Sequence, residues 1–212
     1  MSSFQAVFFD FDGVLADSEP IHFECWIEAL KPLGIQSDWE TYSKYCIGIP
    51  DRDAVEYLCR VNPTPVDPGD AWARYSHKRE LFAARMLEAP PFSEELVAFL
   101  KSLDDYRLAV VTASARSEIE PLLERGGIRP LFDAVVCRDD VERYKPAPDA
   151  YLLASRLLGT KAALVVEDSD AGVASGLAAG LEVLRVPGPE AVPRMVRERL
   201  EGAPGRSVGR RE

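Results

Sequence analysis

Asp10 and Asp12 stand two residues apart at the end of an apolar, aromatic run that begins at Gln5. In an extended segment this spacing turns both side chains toward one side, close enough to share a ligand and still do different work. A carboxylate is a competent nucleophile toward phosphorus. A second one beside it can protonate a departing oxygen and later deprotonate a water. Other polar residues follow later apolar runs: Thr112 after 107–111, Lys145 a short loop after 134–137, and Glu167 with Asp168 after 163–166. A phosphate dianion among these acids requires a cation, so the set calls for a hard, oxygen-binding metal, most simply Mg2+, with Asp10 and Asp168 as natural ligands. Lys145 and the Thr112 hydroxyl suit the non-bridging phosphoryl oxygens, where charge collects. Gly13 permits close backbone approach.

Taken singly, each feature has an ordinary explanation. A DxD pair is commonly a solvated turn, Thr112 a helix-capping hydroxyl, Lys145 a surface charge, and the acidic run from Glu167 to Asp170 an N-cap. The combination carries the inference, because ligands of open parallel sheets bind outside the carboxyl ends of the strands and every one of these residues follows a strand.

The elements that must place them read as follows. Strands are expected at 5–9, 107–111, 134–137, 163–166 and 182–186, alternating with helices at 93–103, from Ser117 to Gly126, at 148–158 and at 170–179. Alternating βα units imply an α/β fold, a doubly wound parallel sheet of Rossmann-like type. Between Ser18 and Met86 the signals are helical only: a helix from Ser18 to Gly34, a capping box at Ser37 and Glu40, a helix from Asp51, and a longer one from Asp70 through Met86. Pro90 and Pro91 mark the return to the βα rhythm. The expected organisation is a core of residues 1–15 and 90–212 with an inserted helical cap of residues 16–89, ending in a loose tail at 201–212.

The chain has 212 residues and a formal charge of −10, which disfavours nucleic acid and anionic membrane surfaces as partners. Its 47% apolar and 28% charged residues are those of a globular protein. The four cysteines, Cys25, Cys46, Cys59 and Cys137, have no zinc or disulfide spacing and read as buried thiols of a cytoplasmic protein. No signal peptide or membrane span is read at the N-terminus. A monomer or weak dimer is expected. With only two histidines, His22 and His77, a catalytic base is expected to be a carboxylate.

The strings DFDGVLADS from Asp10, VVTAS through Thr112, YKPAPD around Lys145 and VVEDSDAG around Asp168 resemble the four motifs of the haloacid dehalogenase superfamily, in the phosphatase and β-phosphoglucomutase-like branch whose helical cap follows the first motif. The likeness runs from about Gln5 to Val186. It implies Asp10 as nucleophile, Asp12 as general acid/base and backbone metal ligand, Thr112 and Lys145 as phosphate binders, and Asp168 as metal ligand assisted by Glu167. Dehalogenation of carbon is disfavoured by Asp12 and the paired acids.

The substrate expected is a small phosphorylated metabolite, a sugar or organic-acid phosphate, with hydrolysis favoured over transfer to a sugar hydroxyl. The resemblance makes Gly13, His22, Arg52, Arg79, Ala113, Ser114 and Arg116 candidate substrate contacts. His22 falls at a hinge histidine, Arg79 opposite a cap lysine, and Arg116 on a loop that in the mutase binds a distal phosphate. Asp51 stands where the mutase has arginine. A Schiff-base lysine at Lys44 or Lys78 is disfavoured, on the expectation that both are exposed on polar helix faces. A phosphorelay receiver is disfavoured by the helical insertion, and an inactive binding module by the complete set of functional groups.

Overall fold

The computed structural model describes residues 4–47, 49 and 51–202. By internal contact the chain divides into two units, Met1–Asp17 with Pro91–Glu212, and Ser18–Pro90.

The first unit is built on strands β1 (Ala6–Phe9), β2 (Arg107–Val111), β3 (Ala134–Val136), β4 (Ala163–Glu167) and β5 (Glu182–Arg185). They pair in parallel in the order β3-β2-β1-β4-β5. β1 is central, and the strand order reverses beside it, which is where an α/β sheet opens a crevice. The run AVFF is buried along its whole length, as a strand covered on both faces must be. Alternate residues Ala6, Phe8, Ala109, Val111, Ala163 and Val165 pack with Tyr151, Ala154 and Leu158 into one core.

The helices of this unit are α6 (Glu94–Lys101), α7 (Arg116–Arg125), α8 (Asp149–Leu157), α9 (Asp170–Ala178) and α10 (Val192–Glu201). Most element bounds move by a residue or two from those expected, and three differences bear on the site or the topology. The fourth strand runs one residue further and takes in Glu167. The second of these helices starts at Arg116, and the Glu118 carboxylate accepts from Ala115 N at 3.1 Å where Ser117 had been expected to cap. α10 had no counterpart among the expected elements; Pro193 lies in its first helical turn, where a missing N–H costs nothing. Most of the tail expected to be loose, 203–212, lies outside the described residues.

The second unit consists of α1 (Glu19–Leu30), α2 (Trp39–Tyr45), α3 (Asp51–Val61), α4 (Pro68–Trp72) and α5 (Tyr75–Glu88). Trp26, Leu30, Ile35, Tyr42, Val55, Leu58 and Ala71 form its own core. Two expected caps are corrected. Asp38, not Ser37, caps α2, accepting from Thr41 N at 2.7 Å. The helix expected from Asp70 is two helices: Asp67 caps α4, accepting from Gly69 N at 2.8 Å, with Pro68 preset for the first helical position. All four cysteines are buried and free. Among the described residues no helix is long and apolar enough to cross a membrane.

Candidate active site

β1 delivers Asp10 at its carboxyl end, and the Asp10 N–H extends the ladder by donating to Val166 O at 3.0 Å. β2 delivers Thr112, whose N–H donates to Val136 O at 2.9 Å. β4 ends in Glu167, with Asp168 next. Lys145 arrives from the loop before α8 and donates to Asp10 Oδ1 at 2.7 Å, Glu167 Oε1 at 2.6 Å and Val111 O at 2.9 Å. One ammonium thus joins three strand ends.

After Asp10 the chain turns tightly. Leu15 N and Ala16 N both donate to Phe11 O, and Gly13 N donates to Ala16 O. Gly13 has φ +71°, and a Cβ there would lie 2.2 Å from Asp168 Oδ2. Glycine therefore serves both the left-handed turn and the approach of Asp168. Asp12 leaves this turn with Oδ2 accepting from Ser114 Oγ at 3.1 Å, while Ser114 N donates to Thr112 Oγ1 at 3.0 Å. The two aspartates therefore occupy different surroundings, Asp10 against the lysine and Asp12 against a hydroxyl.

The carboxylates of Asp10, Glu167 and Asp168 each offer an oxygen within 4.8 Å of the others, and Glu167 is completely buried. Burial pushes the Asp10 carboxyl up to about 7, against the pull of Lys145 and with the help of Glu167 and Asp12. Asp168 is raised as well, by burial and then by Glu167. Burial opposes the charge on Lys145, but Asp10 and Glu167 outweigh it and its pKa is raised. Negative charge is in excess around a single lysine, and the donors are hard oxygens. This arrangement fits a divalent cation of the Mg2+ type, for which Asp10, Glu167 and Asp168 each offer a carboxylate oxygen.

Not every sequence candidate joins this cluster. Ala113 is exposed beside Ser114. Arg116 is spent within its own unit: Nη1 donates to Glu120 at 2.8 Å, and Nη2 to Val135 O at 2.9 Å and Asp140 at 2.6 Å. His22, Arg52 and Arg79 belong to the helical unit. Arg52 is exposed and lies 3.7 Å from Glu56, and Arg79 is exposed.

In that unit the sequence reading is corrected at Lys78. It is 2% exposed, not a surface lysine, and its Nζ lies 2.6 Å from His22 Nδ1 and 3.4 Å from Asp51 Oδ2. Lys78, one residue before Arg79, is therefore the partner of His22. Asp51 also accepts from Trp26 Nε1 at 2.9 Å. The missed signal was periodicity: Tyr75, Lys78, Phe82 and Met86 share one helical stripe. Tyr151 was missed too, because it reads as a core aromatic; its hydroxyl donates to Glu167 Oε1 at 2.7 Å.

A family model described as haloacid dehalogenase-like hydrolase matches residues 7–186. The chain belongs to this family. It is thereby an enzyme of the hydrolase type, and the motifs quoted above lie within the matched span. It is 34% identical over 187 residues to the fructose-1-phosphate phosphatase YqaB of Escherichia coli (strain K12), covering 86% of this chain and 96% of that one. It is 29% identical over 180 residues to the phosphorylated carbohydrates phosphatase of Thermotoga maritima, covering 84% and 82%. Among solved structures, CbbY from Rhodobacter sphaeroides in complex with phosphate is similar at 31% identity and a TM-score of 0.60, covering 87% of each chain.

Proposed function

We propose that this haloacid dehalogenase-like hydrolase is an Mg2+-dependent phosphomonoesterase that cleaves a small sugar phosphate through an aspartyl phosphate on Asp10. The observation that carries the reading is the union of Asp10, Lys145, Glu167 and Asp168 at the carboxyl ends of neighbouring strands, with an acidic surplus suited to a divalent cation.

In this reading an Asp10 carboxylate oxygen forms a bond to phosphorus while the bond to the ester oxygen breaks, and Asp12 gives that oxygen a proton. Asp12 then takes a proton from water, whose oxygen attacks phosphorus and releases phosphate from Asp10. The hydrogen bond from Ser114 Oγ orients Asp12 for both transfers. Lys145 and the Thr112 hydroxyl face charge that gathers on the phosphoryl oxygens. Mg2+, held by Asp10 and Asp168 with the Asp12 carbonyl, would supply the positive charge that keeps Asp10 ionised and offsets that of the phosphate. Selection of the substrate by the helical insertion rests on the family resemblance and is part of the proposal.

Hydrolysis is favoured over a sugar phosphomutase reaction because Arg116, the sequence candidate for a second phosphate, is already engaged by Glu120, Asp140 and Val135 O. The names of the relatives, phosphatases of fructose 1-phosphate and of phosphorylated carbohydrates, support sugar phosphates as the class. A panel of phosphorylated metabolites with and without Mg2+ tests the reading, with glucose 1-phosphate followed for both phosphate release and conversion to the 6-phosphate. The expected result is Mg2+-dependent phosphate release, reduced at least about 1000-fold in Asp10→Asn. Absence of release from every compound would falsify the proposal.

A further inference from the structure

Tyr151 is fully buried on α8, and the chemistry above assigns its hydroxyl nothing to do. That hydroxyl donates to Glu167 Oε1 at 2.7 Å, the same oxygen that receives Lys145 Nζ at 2.6 Å. Glu167 Oε2 receives Ser169 Oγ at 3.2 Å. A Cβ on Gly172 would lie 1.8 Å from Glu167 Oε1, so the first turn of α9 closes on the carboxylate from another side.

We propose that Tyr151 is a positioning residue of the phosphoryl site: it pins Glu167 Oε1 as the anchor of Lys145, so that this oxygen serves the lysine and is not the one offered to the metal. The inference rests on the phosphatase reading and deepens it.

The argument is one of hydrogen-bond capacity. A carboxylate oxygen accepts about two hydrogen bonds, and Oε1 already has two. A fully buried carboxylate is tolerated only when it is saturated in this way. Any cation approaching Oε1 would have to displace either the ammonium or the phenol. Asp168 is different, being only partly buried and bordered by a glycine.

Lys145 is equally constrained. An ammonium has three donors, and here they go to Asp10, Glu167 and Val111 O. To take a phosphoryl oxygen it must release one of them. The bond to the neutral Val111 carbonyl is the least costly to give up, because the other two are charge-assisted. Lys145 then turns about the contacts to Asp10 and Glu167, and only the second is fixed from outside the reaction. Tyr151 does the fixing. Its ring belongs to the same buried core as Phe8, Val165 and Ala154, and Lys145 Nζ lies 5.1 Å from the ring centroid.

The test is Tyr151→Phe, which removes one oxygen and keeps the ring. Orthovanadate binding in the presence of Mg2+ reports the phosphoryl site without turnover, calorimetry with Mg2+ alone reports the metal site, and p-nitrophenyl phosphate reports kcat and KM. The expected result is about a tenfold loss in kcat and in orthovanadate affinity, as for loss of one hydrogen bond to a buried charge. KM and Mg2+ affinity should stay within about twofold of wild type. Asp168→Asn, by contrast, is expected to abolish Mg2+ binding.

Unchanged kcat and orthovanadate affinity in Tyr151→Phe overturns the proposal, as does a loss of Mg2+ affinity comparable to that of Asp168→Asn. A variant too unstable to purify also counts against it, since the hydroxyl would then be a structural group. If wild type binds Mg2+ and orthovanadate but hydrolyses no ester, the phosphatase reading fails and Tyr151 is judged on orthovanadate alone. If wild type binds neither, both fail.

Discussion

The two units each bury a lysine, and the two lysines are supported in opposite ways. Lys145 in the sheet unit has two carboxylates within 2.7 Å. Lys78 in the helical unit has one carboxylate at 3.4 Å, itself 32% exposed, a neutral imidazole at 2.6 Å, and the rings of Trp26 and Phe82. Burial disfavours the charge on both. It is outweighed at Lys145, whose pKa is raised, and it prevails at Lys78, whose pKa is lowered. The number and distance of counter-charges, not burial itself, decides how firmly a buried ammonium is held.

The comparison predicts unequal costs for removing the two charges. Lys145→Met leaves Asp10 and Glu167 buried without their cation and should lower stability of the metal-free protein by about 3–5 kcal/mol. Lys78→Met places an apolar chain among apolar rings, and Asp51 keeps its solvent, so the change should be within about 1 kcal/mol of wild type. Urea unfolding of both variants at one pH measures the difference; equal losses would break the comparison.

Next in size is a pair of glycines with the same backbone and different surroundings. Gly13 and Gly34 have φ +71° and +74°, but a Cβ meets Asp168 at the first and nothing within 4 Å at the second. Gly34→Ala should cost about 1 kcal/mol of backbone strain. Gly13→Ala should cost about twice that or more, because Asp168 must also move, and should weaken Mg2+ binding in calorimetry. A Gly13→Ala protein with wild-type Mg2+ affinity would separate the turn from the metal site.

The pH dependence of stability has opposite signs in the two units. Asp10, raised from 3.8 to about 7, holds more protons folded than unfolded, so its contribution to stability falls as pH rises through that window. His22 is lowered from 6.5 to about 4, first by burial and then by Lys78. It holds fewer protons folded, and its contribution is lost as pH falls from 6.5 toward 4. Each slope is at most about 1.4 kcal/mol per pH unit, and the two oppose where they overlap. Without metal, Asp10→Asn should gain thermal stability over wild type progressively from pH 4 to 7. His22→Gln should gain it in the other direction, from pH 6.5 down to 4. Thermal midpoints of the two variants that track wild type in parallel across pH would remove the distinction between the units.

The Asp10, Thr112, Lys145 and Asp168 positions were legible because each follows an apolar run that can only be a buried strand, and parallel strands bring their carboxyl ends together. Glycines and capping residues set helix ends less reliably: Asp67 and Asp38 prevailed over Asp70 and Ser37 because neighbouring residues compete for the same backbone donors. Lys78 was hidden by its type, since a lysine in an apolar stripe is usually assigned to the surface, and Tyr151 by its, since a tyrosine among alanines and leucines reads as core.

The sequence by itself determined the kind of chemistry available, through the identity of the acids, the lysine and the threonine and their order along alternating strands and helices. Only the tertiary structure decided which oxygen each donor reaches. Lys145 and Asp10 are 135 residues apart, and Tyr151 and Glu167 lie on different elements. Arg116, credible from sequence as a phosphate contact, is committed to Glu120 and Asp140 instead. Periodicity and strand ends are local properties that a chain carries in its spacing, whereas the sharing of one carboxylate oxygen by a lysine and a tyrosine exists only once three elements have packed.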